Sequence, residues 1–162
     1  MTYLMKIYVD GGCRNGRHGA YGAAAAVFKD TYDNTLTTWT QELHSFESPA
    51  PTNQRAEITA IILAQSEALG EYDSLIGFHG LHIKIYSDSR YAVNCMNEWI
   101  YRWRENGWQN ARGARVVNRD LIEEADDLDT ELKHRGRVEY IWIPRDANQD
   151  ADQACNKCMD DM

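Results

Sequence analysis

The order in which hydrophobic patterning changes along the chain most constrains its fold. Residues 3–9 form an apolar run that reads as a buried strand, residues 20–29 form a second, and Thr35 to His44 a third, with Leu36, Trp39 and Leu43 set among threonines. No helical periodicity interrupts them, and three strands with short connections make an antiparallel meander. Gly11, Gly12, Gly16 and Gly19 read as a flexible turn between the first two. From there the pattern alternates. After Ser48-Pro49-Ala50-Pro51, Thr52 or Asn53 suits the cap of a helix with apolar positions Ile58, Ile61, Ile62, Ala68 and Leu69. Residues 70–81 read as a surface loop and His82 to Ser87 as a fourth strand, followed by a helix through Trp99. Asn118 to Lys133 predicts another helix, Arg137 to Ile143 a fifth strand, and Asn148 to Met159 a final helix. The expectation is an α/β fold: a five-stranded mixed sheet, an antiparallel meander plus parallel strands, flanked by helices.

A chain of 162 residues is long enough for one well-buried core, so residues 1–162 are expected to form a single domain. No repeat, low-complexity tract or linker divides it. No apolar run is long enough to span a bilayer, and the N-terminal segment reads as a strand rather than a signal peptide. A soluble, cytoplasmic protein is the expectation. The four cysteines fit reduced thiols. Cys155 and Cys158 have zinc-like spacing but no second ligand pair, and on a helix they read as packing thiols. The five histidines are scattered without metal-ligand spacing.

The formal net charge of −8 argues against a nucleic-acid partner. Its distribution weakens that argument. Between Glu98 and Asp120, five arginines face three acids, a local balance of +2. The next stretch, Leu121 to Leu132, holds six acids and no base, as a solvated helix face would.

Four acids stand at element boundaries: Asp10 after an apolar run, Glu57 at the start of a helix, Asp88 after a second apolar run and Asp152 at the start of the last helix. Boundaries are where separate segments converge on one point. Carboxylates gathered there would repel one another unless cations sat between them, and a hard ion such as Mg²⁺ takes oxygen ligands while keeping positions open for water and phosphate. Each acid also has an ordinary reading. Asp10 before glycines suits a turn, Glu57 a first-turn acid, and Asp88 or Asp152 a helix cap.

The segments Ile7-Tyr8-Val9-Asp10-Gly11-Gly12, Thr52-Asn53-Gln54-Arg55-Ala56-Glu57, Ile85-Tyr86-Ser87-Asp88-Ser89 and Asn148-Gln149-Asp150-Ala151-Asp152 resemble, in order, the signatures of type 1 ribonuclease H. The resemblance implies the ribonuclease H-like fold and an endonuclease that cuts the RNA strand of an RNA–DNA hybrid, leaving 5′-phosphate and 3′-hydroxyl ends. It implies two Mg²⁺ ions, with Mn²⁺ a possible substitute: Asp10 bridging both, Glu57 and Asp88 serving the ion that activates water, and Asp152 holding the second. It also implies an enzyme that acts alone, as a monomer.

The same resemblance places contacts to the hybrid near Cys13 and Asn15, at Asn53 and Gln54, and DNA-phosphate contacts at Thr52 and Asn118. Asparagine and glutamine suit 2′-hydroxyls because each offers a donor and an acceptor; Asn15 equally suits a turn and Asn53 a cap. Trp99 to Trp108 resembles the family's substrate-binding protrusion, with Trp103 and Trp108 packing against sugars, while Trp99 and Trp103 also have the spacing of a buried helical stripe. The family's mobile loop histidine is missing from Pro144-Arg145-Asp146-Ala147. Arg145 is its nearest counterpart, able to bind phosphate but not to act as a base. Other enzymes of this fold (resolvases, integrases) and a non-catalytic nucleic-acid-binding module are the alternatives.

Overall fold

The computed structural model describes Met1–Met162. Its elements are β1 (Tyr3–Gly16), β2 (Gly19–Lys29), β3 (Leu36–Leu43), α1 (Asn53–Asp73), β4 (Leu81–Ser87), α2 (Arg90–Asn94), a π-helical turn (Cys95–Trp99), α3 (Ile100–Asn106), α4 (Arg119–Arg135), β5 (Gly136–Trp142) and α5 (Gln149–Asp160). The sheet order is β3-β2-β1-β4-β5. The β1–β2 and β2–β3 pairs are antiparallel, and β1–β4 and β4–β5 are parallel. This is the expected mixed sheet.

Period-two burial builds the core. Met5, Ile7 and Val9 of β1 and Leu81, Ile83 and Ile85 of β4 turn one way and are buried. Ile58, Ile61, Ala64 and Ala68 of α1 join them, and Ile122, Ala125 and Leu132 bring α4 into the same cluster. The alanine run of β2 serves both faces. Ala24 and Ala26 belong to that core, whereas Ala23 and Ala25 meet Cys155 and Met159 of α5 on the other side.

The glycines depart from the expected turn. Gly11, Gly12 and Gly16 lie within β1, and the reversal occurs at Arg17 and His18, before Gly19 at φ 115°. Close approach explains Gly11, where a Cβ would stand 2.2 Å from the carbonyl carbon of Ala56 in α1, and likewise Gly22 of β2, where one would stand 2.4 Å from the Gly12 carbonyl oxygen. Two further boundaries differ. Helix α1 continues through Gly70 to Asp73, so the 70–81 connection is shorter than its composition indicates. The helix after Ser89 does not stop at Trp99 but runs to Asn106, through the π turn, and ends at Gly107 with φ 76°.

Candidate active site

Asp10 and Asp88 emerge where the β1–β4 pairing ends. The last parallel partners are Val9 and Ser87, and each acid is the next residue. Asp10 is therefore not at a strand end, since β1 runs on along β2 as far as Gly16. Gly11 brings the backbone of α1 against β1, which carries Glu57 to the same place. Asp152 sits in the first turn of α5. The four acids line one cleft of about 470 Å³ together with Gly11, Gly12, Cys13, Arg14, Asn53, Arg145, Cys155, Asn156 and Met159.

The ordinary readings of these acids fail individually. Thr52 caps α1 by accepting from the Arg55 N–H, and the first turn of that helix contains no acid, so Glu57 lies beyond it. Ser89, not Asp88, caps α2. Asn148, not Asp152, stands at the cap position of α5. Only Asp10 makes a local bond, its Oδ1 accepting from the Gly11 N–H at 3.0 Å within the strand.

Two neighbours hold the acids in place. Buried Asn148 donates from Nδ2 to the Val9 carbonyl at 2.8 Å and to Asp88 Oδ2 at 3.1 Å, joining the start of α5 to both strands. Ser89 Oγ donates to Glu57 Oε2 at 2.7 Å and accepts from the Ala92 N–H at 3.1 Å. Both residues lie inside the quoted segments, yet sequence reasoning assigned them no role. The available signal was only their type, Ser and Asn being cap formers at helix starts.

The electrostatics are those of crowded like charges. Burial, followed by the charges of Asp88 and Asp152, pushes the Asp10 carboxyl up to about 7. Burial raises Glu57 as well, with Asp88 adding to the shift and the Ser89 hydroxyl opposing it. Arg145 is the one cation in contact with any of the four, its Nη2 lying 3.8 Å from Asp152 Oδ1. An all-oxygen, anionic donor set fits a hard divalent cation by chemistry. No three of the side chains are gathered into a closed ligand group, so an ion would have to draw these carboxylates together.

The other expected contacts divide by location. Cys13, Asn53 and Arg145 line the cleft with the acids, and Asn53 Oδ1 accepts from the Cys13 N–H at 2.9 Å. Thr52 and Gln54 lie exposed beside it at the start of α1. Asn15 lies near the exposed end of β1 and does not line the cleft. Asn118 belongs to a separate recess of about 590 Å³ with Pro49, Arg115 and Arg119. It adopts φ 65°, accepts from Arg55 Nη1 at 3.3 Å and donates to the Tyr91 hydroxyl at 3.1 Å. Trp99, Trp103 and Trp108 form a half-buried ladder with successive centroids 5.9 and 6.1 Å apart. The stripe expected of Trp99 and Trp103 is present and Trp108 extends it, with the Arg119 guanidinium 5.5 Å from the Trp108 ring centre.

A mixed sheet of this order, with acids where its central parallel pair ends, defines a ribonuclease H-like protein. The model of the RNase H family matches residues 3–160, and the chain belongs to that family. It is 33% identical to a ribonuclease H of Thermosynechococcus vestitus over 145 residues, 85% of this chain and 82% of the relative. Among solved structures it is similar to LC9-RNase H1, described as a type 1 RNase H with the type 2 active-site motif, at a TM-score of 0.74 and 26% identity over 97% of this chain and 72% of the other. LC11-RNase H1 in complex with an RNA/DNA hybrid shares the fold at a TM-score of 0.63 and 23% identity, covering 94% of both chains.

Proposed function

We propose that residues 1–162 form one catalytic domain that acts alone and hydrolyses the RNA strand of RNA–DNA hybrids, leaving 5′-phosphate and 3′-hydroxyl ends. The observation that carries this reading is the convergence of Asp10, Glu57, Asp88 and Asp152 on one cleft. Family membership supports it, as does the solved complex of LC11-RNase H1 with a hybrid.

The same four carboxylates would hold two Mg²⁺ ions, with Asp10 placed between its two acidic neighbours. Such ions would supply a nucleophile of lowered pKa and offset the charge on the scissile phosphate. Asn148 fixes Asp88, and Ser89 fixes Glu57, so neither carboxylate is free to swing away from the cleft. Arg145, mostly exposed beside Asp152, would meet a phosphate without taking a proton. Asn53 and the backbone at Cys13 lie on the wall where a 2′-hydroxyl would be read.

The test is cleavage of labelled hybrid, duplex RNA and duplex DNA, each with Mg²⁺ and with EDTA. Cutting of only the hybrid's RNA, only with Mg²⁺, and its loss in Asp10→Asn are expected. Cutting of duplex DNA, or cutting that survives both EDTA and Asp10→Asn, would overturn the proposal.

A further inference from the structure

Away from the cleft, one rung of the sheet carries an arrangement that a fold would ordinarily avoid. Lys6 of β1 is the register partner of Lys29 on β2 and of Lys84 on β4. Three lysines therefore share one rung on adjacent strands, and like charges directly opposite one another are destabilising. Compensation is incomplete. Lys29 reaches Asp150 at 3.0 Å, whereas Lys6 and Lys84 have no ion-pair partner. Glu139, opposite Lys84 on β5, offsets part of its charge while also contacting His82 at 2.6 Å and Arg137 at 3.3 Å. In a chain with net charge −8, a row of lysines only partly offset, with Lys6 at its centre free of any ion pair, suits an anionic occupant.

This row shares a face with the acids. β1 alternates so that Lys6, Tyr8 and Asp10 follow one another opposite the core, and β4 brings Lys84 and Tyr86 to the same face before Asp88. Lys6 is four residues from Asp10, about 13 Å along the strand. α5 packs on β1, β2 and β3, and the lysines at the foot of this face remain partly exposed. The two tyrosines between row and cleft stack on each other at 4.6 Å, and Lys29 covers the Tyr8 ring at 4.2 Å. With Tyr8 covered by Tyr86 on one side and Lys29 on the other, that ring makes a poor platform for bases. The surface offers charge instead, which suits a sugar–phosphate backbone.

We propose that the sheet face around Lys29, Lys6 and Lys84 binds the phosphodiester backbone of a single-stranded nucleic-acid tail that continues from a hybrid seated in the cleft. The proposal rests on the hybrid as substrate and adds a second contact region for it. A flexible single strand can follow a flat face where a stiff duplex cannot, so the row would favour hybrids with an unpaired end over blunt ones.

Binding is measured by fluorescence anisotropy at low salt in the Asp10→Asn background, which separates it from cleavage. The ligands are a blunt hybrid and the same hybrid with a single-stranded RNA tail. With the lysines intact, the tailed hybrid is expected to bind about 3–10-fold more tightly, a preference that fades as salt rises. Adding Lys6→Glu and Lys84→Glu should abolish the preference while leaving blunt-hybrid affinity within about twofold, since only the tail's phosphates meet the row. Lys6→Gln alone should raise the melting temperature, because Lys6 stands between Lys29 and Lys84 and its removal relieves repulsion on both sides. Melting each pair establishes that it folds, and the milder pair Lys6→Gln and Lys84→Gln should reproduce the binding loss. Equal affinity for the two ligands before mutation, or a preference that survives both pairs of substitutions, would overturn the proposal. So would lysine-dependent binding to vesicles of phosphatidylserine and phosphatidylcholine without any tail preference, which would assign the face to a membrane surface. If instead the nuclease reading failed, the unmutated protein would leave the blunt hybrid uncut, a separate observation from the tail preference.

Discussion

At the scale of single residues, Asp10 couples stability to chemistry. Its carboxyl is raised from an ordinary 3.8 to about 7, first by burial and then by Asp88 and Asp152. A folded-state pKa above the unfolded one gives stability that is fully present below about pH 4 and is lost as pH rises through about 7. Metal-free Asp10→Asn should therefore be more stable than the parent at pH 8, by on the order of 1–3 kcal/mol, the full shift being discounted for partial exposure. The two proteins should converge near pH 4; urea denaturation across that range in EDTA checks this, and a constant difference would contradict it. Arg145 provides the second residue-scale prediction. It stands beside Asp152 where a histidine could exchange protons at neutral pH. Arg145→His is expected to raise kcat, and an unchanged kcat would remove proton transfer from the role of this loop.

At the scale of elements, the approach of α1 to β1 sets the site. Gly11→Ala would drive a methyl group into the Ala56 backbone and is expected to cost about 3–5 kcal/mol in urea denaturation, with cleavage lost as Glu57 shifts. Gly70→Ala, inside α1 where a Cβ meets nothing within 4 Å, serves as the control and should stabilise by about 0.5–1 kcal/mol. The continuous helix from Arg90 to Asn106 carries Trp99 and Trp103, and Trp108 just past its end completes the ladder along the edge of the core. Trp103→Ala with Trp108→Ala should raise KM for the hybrid at least about thirtyfold with kcat largely kept, from about 1–3 kcal/mol per stacked contact. Most of this architecture was legible in the sequence, because apolar periods of two and 3.6 name strands and helices. The glycines of β1 were not. A residue chosen to let another backbone approach looks, in sequence alone, like one chosen for a turn. The Ser89 and Asn148 bonds were hidden for a similar reason: a cap-forming residue type does not disclose which distant side chain it also reaches.

For the whole molecule, charge is divided by region rather than balanced. Most acids of α4 face solvent, but Asp129 is buried, accepting from the Tyr140 hydroxyl at 2.6 Å and paired with Lys133 at 2.7 Å, so the acidic stretch is not the wholly solvated face its composition suggests. The four site carboxylates crowd one cleft, with Arg14 and Arg145 on its walls. Hybrid affinity should accordingly fall with salt despite the net charge of −8. The central claim is that the four carboxylates are held in mutual repulsion until divalent ions join them. It is tested most directly by a ¹³C NMR titration of the Asp10 carboxyl with and without Mg²⁺. Without metal the group is expected to titrate near 7, and with saturating Mg²⁺ to remain ionised down to the ordinary carboxylate range. An ordinary pKa in both conditions, indifferent to the ion, would contradict the account.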